Sequence, residues 1–352
     1  MSFLETVQLT LGNPNMVSAV SSSILIILLG FYLAKKEVFS KVTAKVLTNV
    51  VLSVAIPALA YTAFMQDINE EQLRQGTNIL IWGFVMYIAF IFISKLFYVK
   101  STGDKKDVLE VLTTFGSTTF FGLPIIGAVY GPQGIMFGSI FNIAYRVFLY
   151  SYAYIKLSNI EFSTKNLKEM FLNPIILATF LGLFVWVFQG SLPQVSVAMG
   201  EGVEKSFAFL RIDQTAKWLF VPLQHLSRLC SPLAWLAIGA KLAEIPFTSA
   251  MKSTTSWYYS LVKIVFVPVI NIVALYVLTI TGILPISFVS LAAVVIMMAT
   301  PPATVAVAYA INSDKEAVLT SNLSLISTVA CVVAMPIWIV ILEVIRNLGM
   351  FA

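Results

Sequence analysis

This sequence predicts an all-α integral membrane fold of ten transmembrane helices, set out as two inverted five-helix repeats. Three observations carry that expectation. The chain is 59% hydrophobic and only 11% charged, its apolar residues fall into ten runs of about bilayer-crossing length, and its two halves repeat similar proline motifs. A soluble domain usually has about a quarter of its residues charged, so most of this surface must face lipid. The runs are continuously apolar rather than alternating, which selects helices over a closed barrel.

The first run, about 16–34, has no Lys or Arg before Lys35 and so lacks the basic start of a cleaved signal peptide. Lys35, Lys36, Lys41 and Lys45 follow it, predicting a retained helix with its N-terminus outside. The second run, about 45–65, carries IPALA around Pro57, and the third, about 77–98, leads to Lys95, Lys100, Lys105 and Lys106. The fourth and fifth, about 109–130 and 134–156, are followed by Lys156, Lys165 and Lys168. The sixth, about 174–190, opens on Asn173-Pro174 as the first opens on Asn13-Pro14. The seventh, about 219–241, carries SPLAW around Pro232 and leads to Lys241 and Lys252; the eighth, ninth and tenth lie at about 257–281, 285–311 and 316–342. Lysines crowd alternate connections, which predicts a plasma-membrane protein with both termini outside and those connections in the cytoplasm.

The expected organisation is a single membrane domain: a first repeat over 1–156, a cytoplasmic linker over 157–173 and a second repeat over 174–352. Five helices per half invert the second half relative to the first, a pattern of secondary transporters. The largest outside connection, about 191–218, contains Pro193, Gly200 and Gly202 and is expected to lie along the membrane surface.

The fourth and ninth runs hold the strongest site signal. Gly116, Gly122, Pro124 and Gly127 fall mid-span in the fourth, and Pro301 and Pro302 are adjacent in the ninth. Proline removes a backbone donor and collides with the preceding turn, while glycine weakens the helix further. Both helices are therefore expected to break near the bilayer centre. One proline kink is ordinary in a membrane helix, but corresponding breaks in two halves favour a binding site. Half-helix N-termini offer free N–H groups and a positive dipole end, which suit an anion.

On the fifth run Ser139, Asn142, Arg146 and Tyr150 share one helical face. Arg146 lies near mid-span, where an unpaired charge is costly, so it must face a cavity or a partner. Its planar fork suits a carboxylate; a structural bond to a backbone carbonyl is the alternative. The seventh run offers Gln224, Arg228 and Ser231 on one face with His225 alongside. His225 could carry a proton near neutral pH but reads better as a hydrogen-bonded interior group. Lys263, about two turns into the eighth run, is expected to snorkel to the interface. Ser321, Asn322, Ser324 and Thr328 form a polar strip on the tenth, with Asn322 the counterpart of Asn142. Ser139, Arg228, His225 and Lys263 are secondary candidates. Gly134 and Gly138 form a small-residue pair that allows close packing, within the chain or in a homodimer.

The net charge of +5 sits in lysines flanking apolar runs and is no nucleic-acid footprint. Cys230 and Cys331 lie in apolar segments and supply neither a disulfide framework nor metal-ligand spacing. With His225 the only histidine, no metal and no other cofactor is expected. Walker, HExxH and Gly-x-Ser-x-Gly motifs are missing, which argues against an enzyme. No acidic residue falls mid-span: Asp107 and Glu110 sit at the mouth of the fourth run and Glu343 at the end of the tenth. A basic, acid-poor interior suits an anionic substrate. A sodium- or proton-coupled symporter or ion antiporter of the same plan is the nearest alternative, and a non-transporting organic-acid receptor the other.

The stretches LGFYLAKKEVFS, VLSVAIPALA, STTFFGLPIIGAVYG and ATPPATVAVAYA resemble the auxin efflux carrier family over nearly the whole chain. The long cytoplasmic loop of many plant members is absent, which makes the sequence similar to the compact bacterial members described as malate or related dicarboxylate permeases. The resemblance implies helices four and nine crossing near their prolines, with the substrate carboxylate at the crossover. Carried over by motif, the crossover positions are Gly122, Leu123, Pro124 and Ile125, with Pro301, Pro302 and Ala303. Plant carriers often place Asn beside the helix-four proline, where Leu123 and Ile125 stand here. The resulting expectation is a secondary transporter of malate or a related mono- or dicarboxylate, embedded in the lipid bilayer. One carboxylate would bind at the crossover and a second at Arg146, with Asn142 and Asn322 reading hydroxyls.

Overall fold

The computed structural model of the chain describes residues 14–158, 172–198, 204–243 and 251–351. Asn13, Lys165, Lys168, Gly200, Gly202 and most of the expected linker lie outside the described residues. The described chain is mostly helical. Five helical stretches are long and apolar enough to cross a membrane: Val42–Ala63, Glu70–Phe97, Thr118–Ser158, Thr254–Ile280 and Ala317–Asn347. Ser21–Lys35, Pro174–Phe188 and Phe288–Met298 are shorter apolar helices. Leu25, Phe92, Leu96 and Val333 are each more than half exposed on them, a surface that only lipid can cover without large cost.

Helix ends follow from local chemistry. Asn69 caps Glu70–Phe97, its Oδ1 accepting from Gln72 N at 2.7 Å, with Glu70 and Glu71 in the first turn and Lys95 in the last. Asn173 caps Pro174–Phe188 through Ile175 N at 2.9 Å, with Pro174 in the first turn. Prolines inside the spans are handled by a recurring device. Pro57, Pro124 and Pro268 each stand in the first turn of an α-helix that follows a π turn, at Val51–Ala55, Thr118–Gly122 and Val262–Phe266. The wider π turn spares the missing N–H and the clash with the preceding carbonyl, so the helix continues. Thr118–Ser158 turns once, at Gly131, whose φ of 62° and ψ of −155° divide it into two helices ahead of Pro132.

Numbered as the ten apolar runs, segments one, two, six and seven pack mainly on one another, and so do segments three, four, five, eight, nine and ten, while Leu123–Phe148 also touches the first group. Segments one and seven meet backbone to backbone. A Cβ on Gly239 would stand 1.9 Å from Ile27 O, and one on Gly30 would stand 2.3 Å from Leu236 O. Neither neighbour is a movable side-chain tip. Gly239→Ala is therefore expected to cost about 3 kcal/mol or more, read as a lower melting temperature of the purified protein. An unchanged melting temperature would mean the two helices are free to separate. The pair Gly134 and Gly138 is used within the chain: a Cβ on Gly138 would meet Met297 Cε at 2.7 Å.

Two stretches hold more structure than the apolar runs predict. The connection over 191–218 is the first. It forms an antiparallel hairpin, β1 (Gln194–Ala198) with β2 (Glu204–Ala208), pairing Gln194 with Ala208. Just after it, the buried Arg211 grips both oxygens of Asp213 at 2.9 Å and reaches Asp67 Oδ1 at 3.0 Å, pinning the hairpin to the connection between segments two and three. Burial opposes the charge on Arg211, but these two carboxylates more than offset it, and the guanidinium is held above its ordinary pKa. The seventh segment is also not one continuous helix: Lys217–Arg228 and Cys230–Ala243 meet at Leu229.

Candidate functional site

The fourth segment leaves helical geometry at Phe115–Ser117. Gly103–Thr114 ends there, and the Thr118–Gly122 π turn begins the second half. The ninth segment opens between Phe288–Met298 and Thr304–Asn312, with Pro301, Pro302 and Ala303 in the gap. The two gaps meet. Gly116 and Pro302 form an antiparallel bridge, Ser117 N donates to Pro301 O at 2.7 Å, and Ala303 N donates to Phe115 O at 2.9 Å. Unwound backbone away from water is costly unless its polar groups are paired; here each break supplies the other's partner. Tyr87 of the third segment stacks on Phe115, centroids 5.5 Å apart, and points its hydroxyl at Met298 Sδ, so one side chain braces both breaks.

The half-helices that end at the crossing are capped, and those that begin there are not. Tyr259 Oη donates to Leu112 O at 2.9 Å and Lys263 Nζ to Thr113 O at 2.8 Å. Thr300 Oγ1 covers Met297 O at 2.7 Å, and Cys331 Sγ covers Ala299 O at 3.4 Å. At the two N-terminal ends neither Ser117 nor Ala303 makes a side-chain cap. Orphan N–H groups and positive dipole ends are thus left at both.

Two cavities reach these ends. One, of ≈ 200 Å³, is lined by Thr48, Ser53, Thr119, Arg146, Tyr150 and Asn173; the other, of ≈ 550 Å³, by Lys241, Pro301, Pro302, Ser321, Ser324 and Thr328. Ser117, Phe120 and Thr304 line both and stand between them. Thr48, Tyr150, Asn173, Lys241 and Ser321 all lie in the parts of their segments next to the lysine-bearing connections. Both cavities therefore belong to that side of the molecule.

The predicted residues divide by location. Pro301 and Pro302 sit in the crossing and line the larger cavity, and the buried Ala303 pairs with Phe115. Arg146 is buried and lines the smaller cavity, with no described carboxylate in salt-bridge reach. Beside it lies a small cluster of buried polar atoms without hydrogen-bond partners among the described residues, Ser139 Oγ and Asn142 Oδ1. Among the described residues Asn142 Nδ2 meets only Thr119 Oγ1, at 3.5 Å. Buried polar atoms are nearly always paired, so such a cluster marks a place for water or ligand.

Other residues stand elsewhere. Gly122, Leu123, Pro124 and Ile125 are helical and buried, past the break rather than in it. Gly122 packs against Met297, and Pro124 O accepts from Ser231 Oγ at 2.8 Å. The proline expected to break the helix is absorbed by the preceding π turn, and the opening falls at Gly116. Asn322 is half-buried and lines neither cavity, although Ser321, Ser324 and Thr328 do. His225 and Arg228 are exposed on the seventh segment rather than interior. Lys263 does not snorkel; it is fully buried behind the crossing. Glu110, expected at the mouth of the fourth segment, is buried one turn ahead of the break, its Oε1 facing Lys106 Nζ at 3.8 Å without a hydrogen bond. Sequence reasoning passed over Phe115, Ser117 and Thr304. A Ser or Thr directly ahead of an apolar helical run is a helix-start signal, and it would have pointed to Ser117 and Thr304.

The sequence pattern of a family described as membrane transport protein matches residues 16–339. The chain is also similar to an uncharacterized transporter of Methanocaldococcus jannaschii, 20% identical over 118 residues. That match covers 32% of this chain and 37% of the archaeal protein, so it spans about a third of the relative's length.

Proposed function

The chain belongs to the membrane transport protein family, and from that premise we propose that it is a secondary carrier of a small organic anion, with malate or a related mono- or dicarboxylate as substrate. One observation carries the reading: two uncapped half-helix N-termini meet beside buried Arg146, which has no carboxylate partner among the described residues, in a shared cavity system. Dipole ends and a guanidinium fork suit a carboxylate each. The first carboxylate binds at Ser117 and Thr304 and the second at Arg146, while Asn142 and Ser139 supply hydrogen bonds to hydroxyls. Asn322 is left a lesser part, and Gly122–Ile125 shape the wall behind.

The same reading takes the ten segments as two inverted five-segment repeats in the plasma membrane, termini outside, with the lysine-rich connections in the cytoplasm. Both cavities then open inward. Segments one, two, six and seven form a scaffold, and the other six carry the crossing past it in an elevator-like or rocking motion. Packing that is denser within each group than between the two supports that division.

Counterflow of labelled malate into proteoliposomes preloaded with unlabelled malate, at fixed pH and without sodium, tests the proposal. Uptake above empty vesicles is the expected result. No uptake with malate, C3–C4 monocarboxylates or aromatic acids, with or without sodium, would remove it. Buried Glu110, one turn from the crossing and with Lys106 as its described charge partner at 3.8 Å, favours one rival specifically, a proton-coupled carrier. Uptake that follows an imposed pH gradient in the native protein, and ignores it in Glu110→Gln, would select that rival.

A further inference from the structure

A third cavity, of ≈ 500 Å³, lies away from the crossing, where segments three, four and eight come together beside the lysine-bearing connections. Its polar wall is drawn from three places in the chain. Lys100 and Ser101 follow the end of Glu70–Phe97, Lys105 stands in the first turn of Gly103–Thr114, and Thr254 and Thr255 open Thr254–Leu261. The frame is rigid. Tyr258 Oη donates to Phe97 O at 3.0 Å, Phe97 stacks on Phe266 with centroids 6.1 Å apart, and Tyr98 meets Tyr258 edge-on at 6.0 Å. These contacts tie the end of segment three to segment eight and fix the walls.

Positive charge in this pocket is not balanced by neighbouring acids. Lys106 faces Glu110 at 3.8 Å, Lys156 pairs with Asp107, and Asp104 is met by Lys315 at 3.4 Å. Lys100 and Lys105 have no carboxylate in salt-bridge reach among the described residues. Two ammonium groups and three hydroxyls on one concave surface are the donors a phosphate takes.

The apolar side of the same pocket decides between a soluble phosphate and a lipid. Leu96 and Val99 line it and are 72% and 67% exposed, on a segment whose outer surface lipid covers. Trp257 and Tyr258, exposed within one turn of Thr254, are the residue types that sit at headgroup level. Basic pockets between membrane helices at this depth suit lipid headgroups. A ligand with acyl chains gains both the charge contact and the burial of Leu96 and Val99, and free phosphate gains only the first.

We propose that this pocket binds the headgroup of an anionic phospholipid from the adjoining leaflet. Lys100 and Lys105 meet the phosphate, Ser101, Thr254 and Thr255 the remaining headgroup oxygens, and the acyl chains lie along Leu96 and Val99. The proposal does not rest on the transport reading, and its test needs no knowledge of the transported anion.

The experiment is thermal unfolding of the purified full chain in detergent micelles, at equal ionic strength. The additives are dioleoyl phosphatidylglycerol, dioleoyl phosphatidylcholine or inorganic phosphate. The native protein is expected to melt several degrees higher with phosphatidylglycerol than with phosphatidylcholine, since a ligand of the folded state stabilises by its occupancy. Inorganic phosphate is expected to give little of that gain. Lys100→Gln combined with Lys105→Gln is expected to lose most of it. So is Thr255→Trp, which fills the pocket and leaves both charges in place. Lys35→Gln combined with Lys36→Gln removes the same charge from another exposed pair beside a lysine-bearing connection, and is expected to keep the native gain. An equal gain with phosphatidylcholine or with phosphate alone would overturn the proposal. So would retention of the gain in either pocket variant, or its loss in the Lys35 and Lys36 variant.

Discussion

Arg146→Ala is expected to weaken dicarboxylate transport about 10- to 100-fold while leaving monocarboxylate transport within a few-fold of native. The size follows from a charge-assisted hydrogen bond to carboxylate, worth about 1.5–3 kcal/mol, at about 1.4 kcal/mol per tenfold. The asymmetry follows from geometry: Arg146 lies on the fifth segment, to one side of the helix ends that take the first carboxylate. A second readout separates this role from a structural one. Breaking a buried ion pair destabilises by several kcal/mol, because the partner is stranded. Arg146 has no described carboxylate partner to strand, so removing its charge should leave the melting temperature equal or higher. Arg146→Lys keeps the charge without the fork and is expected to fall between alanine and native for dicarboxylates. Equal losses for both substrate classes would sink the two-carboxylate assignment. A large drop in melting temperature would show that the guanidinium supports the fold instead.

How much of this was legible in the sequence depends on whether the signal was local. Membrane character was, because composition and run length are summed over many residues. Family membership was, because its motifs occupy stretches of ten or more residues. The ninth-segment gap was legible at Pro301 and Pro302, since two adjacent prolines leave consecutive donors missing and no single wider turn absorbs both. The fourth-segment gap was misplaced for the converse reason: Pro124 follows a π turn, keeps its helix, and leaves the opening to Gly116. Whether a proline breaks a helix or is accommodated depends on neighbouring hydrogen bonds that no local pattern encodes. Lys263 failed similarly. Snorkelling is the ordinary behaviour of a lysine near a span end, and only the approach of a distant helix end at Thr113 makes burial favourable. His225 was read as an interior group, yet it and Arg228 both stand exposed on the first half of the seventh segment, Lys217–Arg228, a face that only the packing of other segments decides. The hairpin over Gln194–Ala208 depends on pairing across a turn and on the Arg211 clasp, both non-local.

Gly116→Ala is expected to reduce transport by more than tenfold and to destabilise the protein by about 1–3 kcal/mol. The added methyl would stand 2.4 Å from Thr300 Oγ1, 3.2 Å from Lys263 Nζ and 3.3 Å from Met297 O. The hydroxyl cannot swing aside freely, because it is buried and held on Met297 O at 2.7 Å. Relief must come from the backbone, which means parting Gly116 from Pro302 and stretching the bonds of Ser117 and Ala303. Those bonds hold the two uncapped helix ends side by side, so a shift of a few tenths of an ångström misplaces both halves of an anion site at once. The cause can be isolated by a double-mutant cycle. Thr300→Ala alone removes one bond to a helix end and should cost about 1 kcal/mol. Combined with Gly116→Ala it removes the shortest contact, so the pair should be less damaged than the sum of the two, by about 1 kcal/mol or more in stability. Additive losses would mean that the clash does not lie between these groups. A Gly116→Ala protein with native stability and native transport would show that the crossing is loose, and with it would fall the case for paired helix ends as the anion site.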